Sequence, residues 1–227
     1  MMKCFVAAAC LVLAGAPNTS VADGFLKQDA KSLARGQNFY ILALGIGFTG
    51  TVHAWDREAV GSLDGTSILD VTDLTNLYGS SMFNLSASLL VWSAGKATHN
   101  RALTSVSGDV LRTLIYTQAV VDPIKRLVGR ERPDGSNYRS FPSGHTANSF
   151  ALAELFRRHY GWKVGAPLYT IGALTAAGRM EENVHFLSDV VAGAAIGYVI
   201  GRSVNLSGRS SVNVTPYGSG LSVSLAF

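Results

Sequence analysis

The stretch FPSGHTANSFALAELFRRHYG, residues 141–161, reads as a helix with a polar entrance. The helix starts near Ser143 to Thr146 and runs to Tyr160. Arg157, Arg158 and His159 crowd its last turn and Gly161 follows, which suits the negative end of the helix dipole and a C-cap. At the other end a proline, a hydroxyl, a glycine and a histidine (Pro142, Ser143, Gly144, His145) stand where the helix begins. Unpaired N–H groups and the positive end of the dipole make such a place an anion site. Ser143 suits an N-cap. Gly144 lets backbone approach a ligand closely. His145 then stands beside the anion as a cation or proton donor.

Outward from this helix the chain is mostly helical. Asn38 to His53 is apolar and stops at Trp55-Asp56-Arg57. Residues 56–80 are rich in Asp, Gly, Ser and Thr and read as a loop with at most a short helix. Met82 to Ala94 is a second apolar segment. A longer helix spans about Ser107 to Val128, and its Asp109, Arg112, Gln118 and Asp122 argue against full immersion in lipid. Gly129 is placed to end it. Val164 to Gly178 and Val184 to Val204 complete a bundle of about six helices. Val212, Val214, Leu221, Val223 and Leu225 alternate with polar residues around Pro216 to Gly220, which predicts a short C-terminal β-hairpin. The expected organisation is a leader over 1–22, a helical domain over 23–206 and a hairpin tail over 207–227.

Composition agrees with a single domain. The chain has 227 residues, 48% of them hydrophobic, 24 glycines and only 15% charged residues, which fits a tightly packed helical bundle. Met1 to Lys3 is a short positive start, Cys4 to Ala16 is apolar, and Ser20-Val21-Ala22 offers a small-residue cleavage site, the layout of a secretory signal peptide. Removal of Lys3 with this leader leaves 18 Lys and Arg against 15 Asp and Glu, a net of +3. That is too mild to predict nucleic acid binding. Both cysteines, Cys4 and Cys10, fall in the leader, so a processed chain has no disulfide and no thiolate site. Residues 36–55 and 74–95 are long enough to span a bilayer, whereas 164–178 and 190–201 are not. The expected location is therefore the periplasm or cell envelope, peripheral to the membrane or partly embedded in it.

Two further segments concentrate reactive side chains. Lys125-Arg126-Leu127-Val128-Gly129-Arg130-Glu131-Arg132-Pro133 places Lys125 and Arg132 where both can converge on one anion. Arg179-Met180-Glu181-Glu182-Asn183-Val184-His185-Phe186-Leu187-Ser188-Asp189 puts His185 and Asp189 four residues apart, one helical face if the segment is helical. There the carboxylate can hold the imidazole in one tautomer.

Together the three segments resemble the signature of the type 2 phosphatidic acid phosphatase superfamily, which also includes bacterial class A acid phosphatases and vanadium haloperoxidases. The pattern is a lysine, six residues and Arg-Pro; then Pro-Ser-Gly-His; then Ser-Arg, five residues, a histidine, three residues and an aspartate. Lys125, Arg132-Pro133, Pro142 to His145, Arg179, His185 and Asp189 match it over about residues 108–204. Gly178 stands where the family has serine, a supporting position whose change is expected to tune activity. The resemblance implies an all-α bundle and a metal-independent phosphatase that acts on phosphomonoesters, among them lipid phosphates or diphosphates. In those terms His185 is the nucleophile that forms a phosphohistidine, Asp189 orients it, and His145 protonates the leaving group. Lys125, Arg132, Arg179, Ser143 and the Gly144 amide hold the phosphoryl oxygens. No metal or other cofactor is implied. The partners are a phosphorylated substrate and a membrane surface.

Two alternatives share the motif: a vanadate-dependent haloperoxidase, with vanadate as its cofactor, and a non-catalytic lipid-binding envelope protein with the same fold. The remaining polar residues carry plainer readings: His53 and His99 as surface groups, His159 as a helix-terminal cation, and Glu181 and Glu182 as a solvated loop. Arg126, Arg130 and Arg139 read as surface charges that widen the positive field.

Overall fold

A computed structural model describes residues 19–63, 77–207, 211–217 and 220–226, with side chains placed for 26–63 and 77–207. Eight helices are formed among these residues: α1 (Thr19–Leu33), α2 (Gly36–Val52), α3 (Asp56–Leu63), α4 (Ser81–Ala97), α5 (Arg101–Val128), α6 (Gly144–Tyr160), α7 (Trp162–Glu181) and α8 (Leu187–Ser203). A 3₁₀ turn, His53–Trp55, joins α2 to α3. Strands β1 (Ser211–Tyr217) and β2 (Gly220–Ala226) pair antiparallel, with Ser211 opposite Ala226. The expected leader lies outside the described residues up to position 18, and α1 begins within its last residues.

Several boundaries move relative to the sequence expectation. Helix α5 starts at Arg101, because Asn100 caps it by accepting the Leu103 amide at 3.1 Å. Its end at Gly129 is a left-handed C-cap with φ of 56°. Helix α8 starts at Leu187, not Val184. Asn183 takes φ of 55° and breaks the chain direction between α7 and α8. His185 therefore sits in the turn before α8 and does not share a helical face with Asp189.

The core joins Leu85 of α4, Val110, Leu111 and Leu114 of α5, Leu152 and Leu155 of α6, and Val204 beyond α8. A second cluster of Val60, Met180 and Val190 ties α3 to α7 and α8 beneath the His185 turn. Between α6 and α8 the packing is closer than side chains allow. A Cβ on Gly193 would lie 2.5 Å from the Ser143 carbonyl oxygen, one on Gly197 2.1 Å from that of Ala147, and one on Gly201 2.3 Å from that of Ala151. These glycines lie one turn apart and form a stripe into which the α6 backbone settles.

The far end of the bundle is closed by a buried polar network. Asp109 accepts from Arg112 at 2.6 Å, from the Ser207 hydroxyl at 2.5 Å and from His159 Nε2 at 3.1 Å. Arg112 also reaches Asp29 of α1 at 2.6 Å. His159 is thus buried, not a solvent-facing helix terminus, because α6 ends inside the bundle against α5. Among the described residues no helix is long and apolar enough to cross a membrane. Helices α2 and α4 stop at 17 residues each, about 26 Å at 1.5 Å per residue. Even so, α2 leaves Phe39, Tyr40, Leu44, Ile46 and Phe48 exposed, and α4 leaves Met82, Phe83, Leu90 and Val91 exposed.

Gly197→Ala tests the α6–α8 contact. Its methyl group must displace main chain, so a loss of about 2–3 kcal/mol is expected in denaturant unfolding. Gly47→Ala, whose Cβ meets nothing within 4 Å, is expected to leave stability unchanged or slightly raised.

Candidate active site

Four pieces of backbone meet at one end of the bundle: the end of α5, the loop over residues 129–143, the start of α6 and the turn from α7 to α8. The Ser143 amide donates to the Asp189 carbonyl at 2.9 Å, which joins the entrance of α6 to the first turn of α8. The Asp134 amide donates to the Asn183 carbonyl at 3.0 Å, and the Val184 and His185 amides both donate to the Arg179 carbonyl at 3.2 Å. The last two bonds fix the histidine of the turn relative to the arginine of α7.

Lys125 is buried, and its Nζ donates to the carbonyls of Arg139 at 2.7 Å and Ser140 at 3.2 Å. Its stem passes Gly144, with Cε 3.8 Å from where a Cβ would be. Burial, then the neighbouring Arg132 guanidinium, lowers the Lys125 pKa to about 8. The Arg132 Nε is buried with no hydrogen-bond partner among the described residues. Arg179 pairs with Glu182 at 2.5 Å, so Glu182 is the partner of an arginine and not a solvated loop residue. Ser143 is fully buried and caps α6, and its Oγ accepts from the Thr146 hydroxyl at 3.0 Å.

The two histidines are held neutral. Burial first, then the charges of Arg179, His185, Lys125 and Arg132, lowers the His145 pKa to about 3. Burial likewise lowers His185 to about 4, against the opposing pull of Asp189. His185 Nδ1 lies 3.6 Å from Asp189 Oδ2, longer than a hydrogen bond, a separation of the kind that tightens when a ligand arrives. With Nδ1 turned to the carboxylate, Nε2 is the nitrogen left for chemistry. The Asp189 carboxyl is held below its usual range: burial works against its charge, and the nearby His185 ring, the Ser140 hydroxyl, the Phe186 amide and the Arg130 guanidinium more than offset it. Asp189 Oδ2 accepts from Ser140 Oγ at 2.5 Å and from the Phe186 amide at 2.9 Å.

Every residue expected at the site is therefore here: Lys125, Arg132, Ser143, Gly144, His145, Arg179, His185 and Asp189. Sequence reasoning missed others. Arg130 is not a surface charge: it bonds Asp189 Oδ1 at 2.7 Å, Ser188 Oγ at 2.6 Å and Asp56 Oδ2 at 2.7 Å. Asp56 is buried and also accepts from His53, which is exposed at its far side. Gly79 packs on the imidazole of His145; a Cβ there would meet His145 Cβ at 2.9 Å. Asn148 holds that segment through the Gly79 carbonyl at 3.1 Å and the Ser81 hydroxyl at 2.6 Å.

Three cations, a helix N-terminus and a carboxylate-backed histidine in one place match a known family. The model of the PAP2 superfamily matches residues 108–209. Over these residues the chain is similar to the PAP2 superfamily. The lipid A 1-phosphatase of Porphyromonas gingivalis is 44% identical over 86 residues, which cover 36% of this chain and 19% of that protein. The lipid A 4'-phosphatase of Helicobacter pylori is 31% identical over 102 residues, 40% of this chain and 52% of that one. The chain thus spans from a fifth to about half the length of these curated relatives. Among solved structures, the transmembrane PAP2-type phosphatidylglycerolphosphate phosphatase of Bacillus subtilis superposes with a TM-score of 0.61 at 20% identity, over 74% of this chain and 92% of that one. That likeness establishes the PAP2 helical fold. Gly178, at the position of the family serine, is buried in α7 beside Arg179.

The histidine pKa values set a stability profile. Both are lowered in the fold, so the stability they contribute is complete above the unfolded value near 6.5 and is lost as pH falls toward about 4. The lowered carboxyls of Asp56, Asp109 and Asp189 add a further loss only below about 3.8. The melting temperature is expected to fall between pH 6.5 and 4. A His145→Ala/His185→Ala double variant is expected to show a smaller fall in that window, measured by calorimetry across pH.

Proposed function

We propose that this protein is a metal-independent phosphomonoesterase working through a phosphohistidine at His185. The observation that carries the reading is the conjunction of a buried neutral imidazole backed by Asp189 with three cations and the α6 N-terminus. In the first step His185 Nε2 attacks phosphorus, the bond to the ester oxygen breaks, and His145 supplies a proton to that oxygen. In the second, water attacks the phosphohistidine, His145 accepts its proton, and the P–N bond electrons return to Nε2. Lys125, Arg132 and Arg179 offset charge on the phosphoryl oxygens, with Ser143 and the Gly144 amide assisting. Burial, with the charges of Arg179, Lys125 and Arg132 beside it, keeps His145 deprotonated before substrate arrives. A bound phosphate dianion reverses that balance and raises its pKa toward a value useful for proton donation.

The substrate reading is a lipid phosphate or diphosphate at an envelope membrane surface. Two observations support it. The two curated relatives described above are named as phosphatases of lipid A. Leu127 and Val128, on the turn after Lys125, are exposed, as are the apolar faces of α2 and α4, and a surface of this kind meets lipid readily.

Purified protein is expected to release phosphate in EDTA, to be inhibited by vanadate, and to prefer lipid phosphates in detergent over soluble phosphomonoesters. His185→Ala is expected to lose activity by about 10³-fold or more. His145→Ala is expected to lose roughly 10²–10⁴-fold on alkyl phosphates and much less on p-nitrophenyl phosphate, whose leaving group needs no proton. Full activity in His185→Ala would sink the mechanism.

A further inference from the structure

We propose that Arg130 is a positioning residue for the His185–Asp189 pair, acting as a bridge between Asp189 and the buried Asp56 of α3. The inference rests on the phosphatase reading for its kinetic test, though not for its geometry. Arg130 uses one terminal nitrogen for Asp189 Oδ1 and Ser188 Oγ and the other for Asp56 Oδ2. Its guanidinium also lies over the Phe186 ring, 4.1 Å from the centroid. Phe186 is the residue after His185 and caps α8. Asp56 completes the frame by accepting the Ser188 amide and hydroxyl, each at 2.7 Å. The turn carrying the nucleophile is thus gripped on its outer side by one cation and one carboxylate.

The arrangement divides the work of the Asp189 carboxylate. Oδ2 faces His185, while Oδ1 is committed to Arg130. A planar fork can hold two carboxylates at once, which an ammonium cannot do with the same geometry. The Arg130 cation held at Oδ1 also restrains how strongly Asp189 favours a protonated imidazole. Arg130 therefore keeps Asp189 in an orienting role and leaves His185 available as a neutral nucleophile. The other groups facing His185 are Lys125 on α5, His145 on α6, Arg179 on α7 and Asp189 on α8. None of them changes when Arg130 is replaced. Arg130 has its partners on the protein side, so it is not one of the phosphate-binding cations.

The test uses Arg130→Gln and Arg130→Lys in the full chain, read by kinetics across pH and by NMR titration of the His185 imidazole. For Arg130→Gln the expected result is a fall in kcat of roughly 10- to 100-fold, the range for groups that orient a functional imidazole, with KM within about twofold of wild type. Removing the cation leaves Asp189 uncompensated, so the His185 pKa and the acid limb of kcat/KM move up by about one unit. Arg130→Lys keeps the charge but not the fork, so its acid limb stays at the wild-type pH while kcat is still reduced. Should Arg130→Gln fail to fold, the lysine variant carries the test through that split. Wild-type kcat and an unmoved His185 titration would overturn the proposal, and so would a raised KM with unchanged kcat, the mark of a phosphate ligand. A wild-type chain that releases no phosphate would defeat the phosphatase reading instead, and the NMR titration would still decide the role of Arg130.

Discussion

Helices α6 and α8 touch backbone to backbone, and the site exists because they do. Gly193, Gly197 and Gly201 have no side chain to hold the helices apart, and each faces a carbonyl oxygen of α6 at a distance no Cβ could accept. The contact brings the N-terminus of α6, with its unpaired amides, against the first turn of α8. The bond from the Ser143 amide to the Asp189 carbonyl then sets the two ends in register. The α6 entrance at Ser143 and the His185 turn before α8 are far apart in the chain, and this interface brings them to one place. The remaining helices shield it: α5 delivers Lys125, α7 delivers Arg179, and α3 supports the nucleophile turn from outside.

The electrostatics follow from that closeness. Lys125, Arg132 and Arg179 gather where burial already disfavours charge, so His145 and His185 are driven neutral and Lys125 itself loosens its proton. A site of this kind is tense without an anion and relaxed with one. Under the proposed mechanism the same charge balance supplies the acid: a dianion on the cations would permit His145 to hold a proton. Glu182 answers Arg179 from within the chain.

The parts of this that the sequence disclosed are those built on local rules. Capping and dipole arguments located the α6 entrance at Ser143 and the end of α5 at Gly129, and motif spacing brought eight site residues together. Long-range polar pairing was not legible. Asp56 sits in a stretch that reads as loop, and nothing in its neighbours announces a partner at Ser188 or Arg130. Arg130 is one of four basic residues from Lys125 to Arg132, where a solvated basic loop is the ordinary outcome. His159 looked like a terminal cation because the sequence does not show that α6 ends inside the bundle, facing Asp109. The placement of His185 and Asp189 on one helical face also failed, since Asn183 at positive φ turns the chain before α8 can begin. The pair meets through a turn, which is why its orientation needs outside support.

The central claim is a covalent phosphohistidine at a named nitrogen, and trapping it is the most direct measurement. Protein mixed with a phosphate-labelled substrate and quenched in alkali within milliseconds, then digested for mass spectrometry, is expected to carry acid-labile phosphate on His185, with none in a chain carrying His185→Ala. Phosphate on another residue, or turnover in the absence of any trapped phosphoenzyme while product accumulates in a burst, would contradict the account.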